Sequence, residues 1–173
     1  MTRTGLVHIY MGDGKGKTTA AAGLALRAAG SGFRVMFVQF LKGRPTGETG
    51  PLEKLGVKVV RSESVKKFIP EMSAAELEEC RREQQACLEA ARSGAGDYDL
   101  IVLDEALAAA ETGMISEDEL CAFITSRPRG LELVLTGRSA SRRLLLAADY
   151  VSQIKCVKHP YDRGVGARRG IEF

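Results

Sequence analysis

Near the N-terminus, the segment Gly12-Asp13-Gly14-Lys15-Gly16-Lys17-Thr18-Thr19 packs three glycines, two lysines and two threonines into eight residues. Holding a triphosphate requires many donors aimed at one concave spot. Backbone N–H groups provide them where glycines let the chain curl tightly, and a helix N-terminus adds positive potential. In this reading Lys17 reaches phosphate oxygens and Thr18 sets its hydroxyl on a Mg²⁺ ion, so the segment would hold the triphosphate of ATP. The general P-loop pattern asks for glycine where Met11 stands; Gly12 does the same job one residue along. The plain alternative is a glycine-rich turn without function. A strand before, a helix after and the run Gly16-Lys17-Thr18-Thr19 argue against it.

Two further groups belong with this one. Asp104-Glu105 follows the apolar run Leu100-Ile101-Val102-Leu103. Acidic residues at the carboxyl end of such a strand face the crevice where open α/β sheets take ligands. They can hold Mg²⁺ directly or through water, and the spacing suits a Walker B element. A carboxylate that merely starts a helix is the competing explanation. Thr136-Gly137-Arg138 follows another apolar run, Leu131–Leu135, and Arg138 would lie on the same sheet edge as the glycine-rich loop. It could offer phosphate a fixed fork of donors, or be an ordinary surface arginine.

The elements that must position these groups alternate between short apolar runs and helical stretches, as in an α/β domain with a mostly parallel sheet. Strands are expected at Leu6–Tyr10, Arg34–Phe40, Val57–Arg61, Leu100–Leu103, Leu131–Leu135 and Tyr150–Ile154. The stretch Thr18–Gly30 is alanine-rich and reads as a helix closed by Gly30 and Gly32. A short helix is expected at Leu52–Leu55. Ser73 and Glu76 form a capping box for a helix whose apolar face is Leu77, Cys80, Leu88 and Ala91 and which Gly94 and Gly96 stop; Ser116 and Glu119 repeat the device. Ala106–Glu111 reads as helix or turn, and Ser141–Ala148 as a short helix. Residues Ser62–Met72 show no clear period.

The 173 residues suit one domain, 1–173, with a full core. A net charge of +3 exerts no general pull on nucleic acid. The four cysteines form no CxxC pair and read as reduced core thiols of a cytosolic protein rather than a zinc site. No stretch approaches a membrane span, and Met1–Gly5 is too short for a signal peptide, so cytoplasmic location is expected.

The blocks GDGKGKTTAAAGLALRAAG, VQFLKG, LIVLDEA, SRP, LTGR and VKHPYDRGVGARRGIEF, running from about Gly5 to Phe173, resemble the P-loop ATP:corrinoid adenosyltransferases of cobalamin synthesis. The C-terminal block with VQFLKG is far more specific than the P-loop alone, and the family also carries a non-glycine residue where Met11 stands. The resemblance implies a RecA-like P-loop NTPase fold with a central sheet of about six strands. It also implies a reaction. Co(I) of a reduced corrinoid, cobalamin or cob(I)yrinic acid a,c-diamide, attacks the 5′ carbon of ATP, and tripolyphosphate leaves. The nucleotide then sits reversed on the P-loop relative to ordinary P-loop enzymes. Mg²⁺ or Mn²⁺, a Co(II)-reducing flavoprotein and a homodimer belong to the same implication. No general base is needed, since Co(I) is itself a strong nucleophile; Lys17, Thr18 and Glu105 would stabilise the leaving group.

By position the resemblance also places Arg27 near the nucleotide, and Gln39 and Lys42 in a strand-end block approaching the ligands. Asp162 and Arg168 fall in a C-terminal loop near the site. Each could equally be a surface charge or a structural hydrogen bond. The family commonly has an N-terminal arm that helps cover the corrinoid; here that cover is expected to be missing or built differently. A family member places a Phe and a Trp in a mobile loop to displace the corrinoid's lower ligand. The corresponding stretch here is Lys67-Phe68-Ile69-Pro70, in a chain with no Trp. Phe68 either takes the first of those roles or packs in the core.

Two other readings carry the same P-loop. A RecA-like motor or DNA-binding ATPase would need a basic strand-binding surface with stacking aromatics, whereas the basic pairs are scattered and aromatics are 6%. A small-molecule kinase would need an acceptor hydroxyl at the γ-phosphate and a base, for which Asp13 or Glu105 is the only offer.

Overall fold

The chain is described here from a computed structural model covering residues 4–43, 46–62, 67 and 69–172. Its apolar runs form β1 (Val7–Met11), β2 (Val35–Gln39), β3 (Lys58–Arg61), β4 (Leu100–Asp104), β5 (Glu132–Gly137) and β6 (Tyr150–Gln153). Between them lie α1 (Lys17–Gly30), α2 (Thr49–Lys54), α3 (Ala74–Ser93), α4 (Ala106–Glu111), α5 (Glu117–Ser126) and α6 (Arg142–Ala147). The strands form one six-stranded sheet in the order β3-β2-β4-β5-β1-β6. Every pairing is parallel.

Parallel strands are covered on both faces, which explains their near-continuous apolar character. Successive residues alternate between two cores. Val35, Phe37, Leu100, Val102 and Val134 meet α1 and α2 on one face. Met36, Val38, Ile101, Leu103, Leu133 and Leu135 meet α3, α4 and α5 on the other. α1 reaches the sheet through Ala21, Ala25 and Ala28, one helical face of small side chains that brings the helix close. Phe37 is fully buried, and cutting it to Ala should cost about 3–5 kcal/mol.

Helix ends follow local chemistry. Ser73 and Glu76 form the expected capping box, with Ser73 N–H donating to Glu76 Oε2 at 2.8 Å. Lys67 also donates to Glu76, and these bonds hold its carboxyl down at about 2. At α5 the device forms by half. Ser116 accepts from the Glu119 N–H, while the Glu119 carboxylate accepts from Gln85 of α3 at 2.7 Å and so ties two helices together. α2 starts three residues earlier than expected, at Thr49, because Pro51 is tolerated in a first turn where its missing N–H has no intrahelical acceptor. Cys80, Cys87 and Cys121 are buried free thiols, but Cys156 is exposed and is no core residue, since the chain beyond β6 runs over the surface. Among the described residues no helix is long and apolar enough to cross a membrane.

Candidate active site

β1, β5 and β4 are consecutive in parts of the sheet and end on the same edge, so Gly12–Thr19, Thr136–Arg138 and Asp104–Glu105 converge. β1 continues through Met11, paired with Gly137 and Gln153, and the turn begins only at Gly12. That is why glycine is needed one residue later than the general pattern asks. Gly12 has φ 123°, and a Cβ there would stand 2.2 Å from the Ile154 carbonyl oxygen. The chain after β6 packs tightly on the loop: Ile154 N–H donates to the Met11 carbonyl at 2.7 Å and Gly14 N–H to the Ile154 carbonyl at 2.9 Å. Gly12 N–H donates to the Arg138 carbonyl at 3.0 Å. Gly16, just before α1, also has positive φ, 116°, yet nothing lies within 4 Å of where its Cβ would be. Gly12 is thus imposed by neighbouring backbone, and Gly16 by a left-handed turn facing open space at a helix N-terminus. That space is suited to an anion.

Lys17 donates to the Gly14 carbonyl at 2.7 Å, folded back on its own loop. Burial first, and then the positive charge of Arg138, lower its pKa. The Thr18 hydroxyl donates to Asp104 Oδ1 at 2.9 Å. Thr136 donates to the same oxygen at 2.8 Å and accepts from the Glu105 N–H at 2.8 Å. Asp104 is fully buried. Glu105 is partly exposed, with a left-handed backbone, φ 62°. Burial raises its pKa, against the nearby Lys42.

Lys42 enters from the turn after β2. Its Nζ donates to Asp104 Oδ2 at 2.6 Å and to Thr18 Oγ1 at 3.2 Å, and lies 3.8 Å from Glu105 and 4.0 Å from Glu48. Burial alone would lower its pKa; the carboxylates of Asp104, Glu105 and Glu48 more than offset this, and the net shift is upward. Leu41 before it has φ 57°, a conformation that costs a leucine. The Leu41 N–H is held by Gln84 Oε1 at 2.9 Å, and Gln84, fully buried on α3, donates onward to Ser62. The only two non-glycine residues with positive φ among those described, Leu41 and Glu105, therefore flank the site. Backbone strain of this kind clusters at active sites and ligand clamps.

A cleft of about 1070 Å³ opens beside this cluster. Thr18, Thr19, Lys42 and Glu105 line one side, and Ala167, Ile171 and Glu172 of the C-terminal segment line the other. Ile171 is an exposed apolar residue within it. The donor set fits a hard divalent ion: two carboxylates and a hydroxyl around a point where an ammonium already stands. Mg²⁺ is ordinarily held by one or two carboxylates together with substrate phosphates. Among the described residues no group of three or more His, Cys, Asp or Glu could cage a metal alone.

Other expected residues fall elsewhere. Asp13 is exposed and accepts from the Cys156 N–H at 3.1 Å; that bond first of all lowers its pKa. Lys15 is exposed near Glu172. Arg27 stands exposed in the last turn of α1, ten residues and so about 15 Å of helix beyond Lys17, and is not brought to the P-loop. Gln39 is fully buried, its amide committed to Thr46 at 3.1 Å and Glu48 at 3.0 Å, so it holds the loop beside Lys42 rather than facing the cleft. Arg168 is exposed and forks onto Glu172, and Asp162 lies in an exposed short turn. Phe68 lies outside the described residues. Sequence reasoning missed Glu48, Thr136 as a carboxylate anchor, and Glu172. Thr136 and Glu172 sit inside recognised blocks, but nothing in their spacing marked them.

The profile of the family "ATP:corrinoid adenosyltransferase BtuR/CobO/CobP" matches residues 3–173. The chain belongs to this ATP:corrinoid adenosyltransferase family. A corrinoid adenosyltransferase of Escherichia coli (strain K12) is 34% identical over 170 residues, covering 98% of this chain and 86% of the relative. The corrinoid adenosyltransferase CobA of Salmonella typhimurium is 34% identical over 175 residues, with the same coverage of each. Among solved structures, a KaiC-like protein from Pyrococcus horikoshii superposes with TM-score 0.54 over 88% of this chain and 73% of that one, at 19% identity. That likeness supports the RecA-like P-loop NTPase fold alone.

Proposed function

We propose that this family member transfers the 5′-deoxyadenosyl group of ATP to Co(I) of a reduced corrinoid and releases tripolyphosphate. The observation that carries the reading is the convergence of the P-loop, Asp104–Glu105 and Lys42 at one end of the cleft of about 1070 Å³. That volume reaches the upper end of ordinary ligand sites, about 300–1,000 Å³, leaving room beside a nucleotide for part of a large second substrate.

The chain's own groups divide the work. The amides after Gly12, the helix N-terminus and Lys17 grip the triphosphate, which is the leaving group. Arg138 adds a second cation near Lys17. Thr18, Asp104 and Glu105 would hold a Mg²⁺ or Mn²⁺ ion, which would supply further charge stabilisation to the triphosphate. Attack by Co(I) forms the cobalt–carbon bond with the cobalt's electron pair while the 5′ C–O bond breaks and its electrons leave with tripolyphosphate. No proton has to move, so the site needs positioning and electrostatics rather than a base. The C-terminal segment, with Ala167 and Ile171, walls the cleft and would cover the corrinoid, and Arg27 would lie at the far end of α1 from the phosphates. A homodimer, a Co(II)-reducing flavoprotein and cytoplasmic location complete the reading. The first two are what the sequence resemblance implies. The three buried free thiols suit a reducing compartment.

The phosphate product tests this. Anaerobic incubation with ATP, Mg²⁺ and chemically reduced corrinoid should yield tripolyphosphate in step with the adenosylated corrinoid. ADP or inorganic phosphate in its place would point to γ-phosphate chemistry and overturn the proposal.

A further inference from the structure

Resting on the metal reading above, we propose that Lys42 is the cation site's own counter-ion: its ammonium fills the site while no nucleotide is bound and must leave before a divalent ion enters. The contacts carry this. Both oxygens of buried Asp104 are engaged, Oδ1 by Thr18 and Thr136 and Oδ2 by Lys42 at 2.6 Å. The Thr18 hydroxyl gives its proton to Asp104 and accepts from Lys42 at 3.2 Å. The lone pair a metal would use is therefore already taken by the ammonium. A divalent ion of the magnesium type binds oxygen at about 2.0–2.1 Å, so it would have to share the same oxygens with Nζ at close range. Two cations do not occupy that space together.

Lys42 is also aimed. The strained turn at Leu41, pinned by Gln84, directs the lysine stem inward, and the Phe40 N–H donates to the Asp104 carbonyl at 2.9 Å, fastening the turn to β4. The four-carbon stem is flexible enough for the ammonium to swing away. An arriving triphosphate provides the anion to receive it. The nucleotide thus draws Lys42 out as the metal goes in, and the two ligands favour each other's binding. A site occupied by its own lysine nine-tenths of the time binds an outside ion about tenfold more weakly than the vacant site would.

The test is Mn²⁺ affinity of the nucleotide-free protein, read from the free-Mn²⁺ electron paramagnetic resonance signal. Lys42→Met should tighten Mn²⁺ binding about tenfold. Lys67→Met, which removes a charge at the mouth of the same cleft, should change it less than about twofold, since exposed charges are screened. If Lys42→Met fails to give a native circular dichroism spectrum, Lys42→Gln, which keeps a donor to Asp104, takes its place. Unchanged or weaker Mn²⁺ binding in the Lys42 variant, or an equal gain from Lys67→Met, would overturn the proposal. Adding Asp104→Asn to the Lys42 variant should abolish the gain; a gain that survives puts the ion elsewhere and overturns both this inference and the metal assignment. Whether adenosyl transfer itself occurs is read separately, from the phosphate product.

Discussion

On one rim of the cleft Asp104 is fully buried and each of its oxygens is bonded, Thr136 ties it to the Glu105 backbone, and Gln84 pins the turn that delivers Lys42. On the other rim, residues 157–172 are mostly exposed, and Arg168 bonds chiefly to Glu172, four residues on. The first rim is organised before any ligand arrives, as charge stabilisation requires. The second has few buried contacts and can adjust at small cost to a bulky partner. The proposed reaction would use this difference, with the triphosphate held on the organised rim and the corrinoid against the adjustable one.

The largest effect is expected on the organised rim. Lys17→Ala should lower turnover about 10²–10³-fold with the far-ultraviolet circular dichroism spectrum unchanged. Near-normal turnover would remove the P-loop from the chemistry. Two glycine variants should then separate packing from binding. Gly12→Ala drives a Cβ into the Ile154 carbonyl and should lower stability by about 1–3 kcal/mol in urea unfolding. Gly16→Ala meets no atom within 4 Å but is strained at φ 116°, and should weaken ATP binding more than Gly12→Ala does. The reverse ranking would show that the two glycines have been assigned the wrong reasons.

Thr136→Val should cost about 1–3 kcal/mol of stability, because a buried carboxylate oxygen and the Glu105 N–H each lose a partner. On the adjustable rim, Arg168→Ala should lower the melting temperature only slightly, as for an exposed ion pair, and raise KM for the corrinoid without raising KM for ATP. The smallest effect is a titration. The hydrogen bond from Arg168 first of all lowers the Glu172 pKa below its ordinary 4.5. For an acid depressed in the folded state, the pair's contribution is complete above 4.5 and fades as pH falls through the depressed value. Carboxyl carbon NMR should place the Glu172 midpoint below 4.5, and Arg168→Ala should return it toward 4.5.

The organised rim is also the one legible in sequence. Its strands are unbroken apolar runs that end in Asp104 and Thr136, and its loop is a glycine pattern with a physical purpose, so residue type and spacing sufficed. What spacing could not show is what depends on tertiary approach. Gly12 needs to be glycine because the chain after β6 crosses it, some 140 residues later. Arg27 reads as a family position, but helical rise carries it away from the phosphates. Gln39 reads as a ligand contact, but the side it faces is occupied by Thr46 and Glu48. Lys42 reads as one more residue near the ligands; only its distances to Thr18 and Asp104 reveal that it occupies the cation's place.

A crystal of the protein grown with ATP and a Co(II) corrinoid would test the central claim most directly. The account predicts the triphosphate on Gly12–Thr19 and the ribose 5′ carbon turned into the cleft toward cobalt. Density that puts the adenosine outward along the ordinary P-loop direction, with the γ-phosphate facing the second substrate, would contradict it.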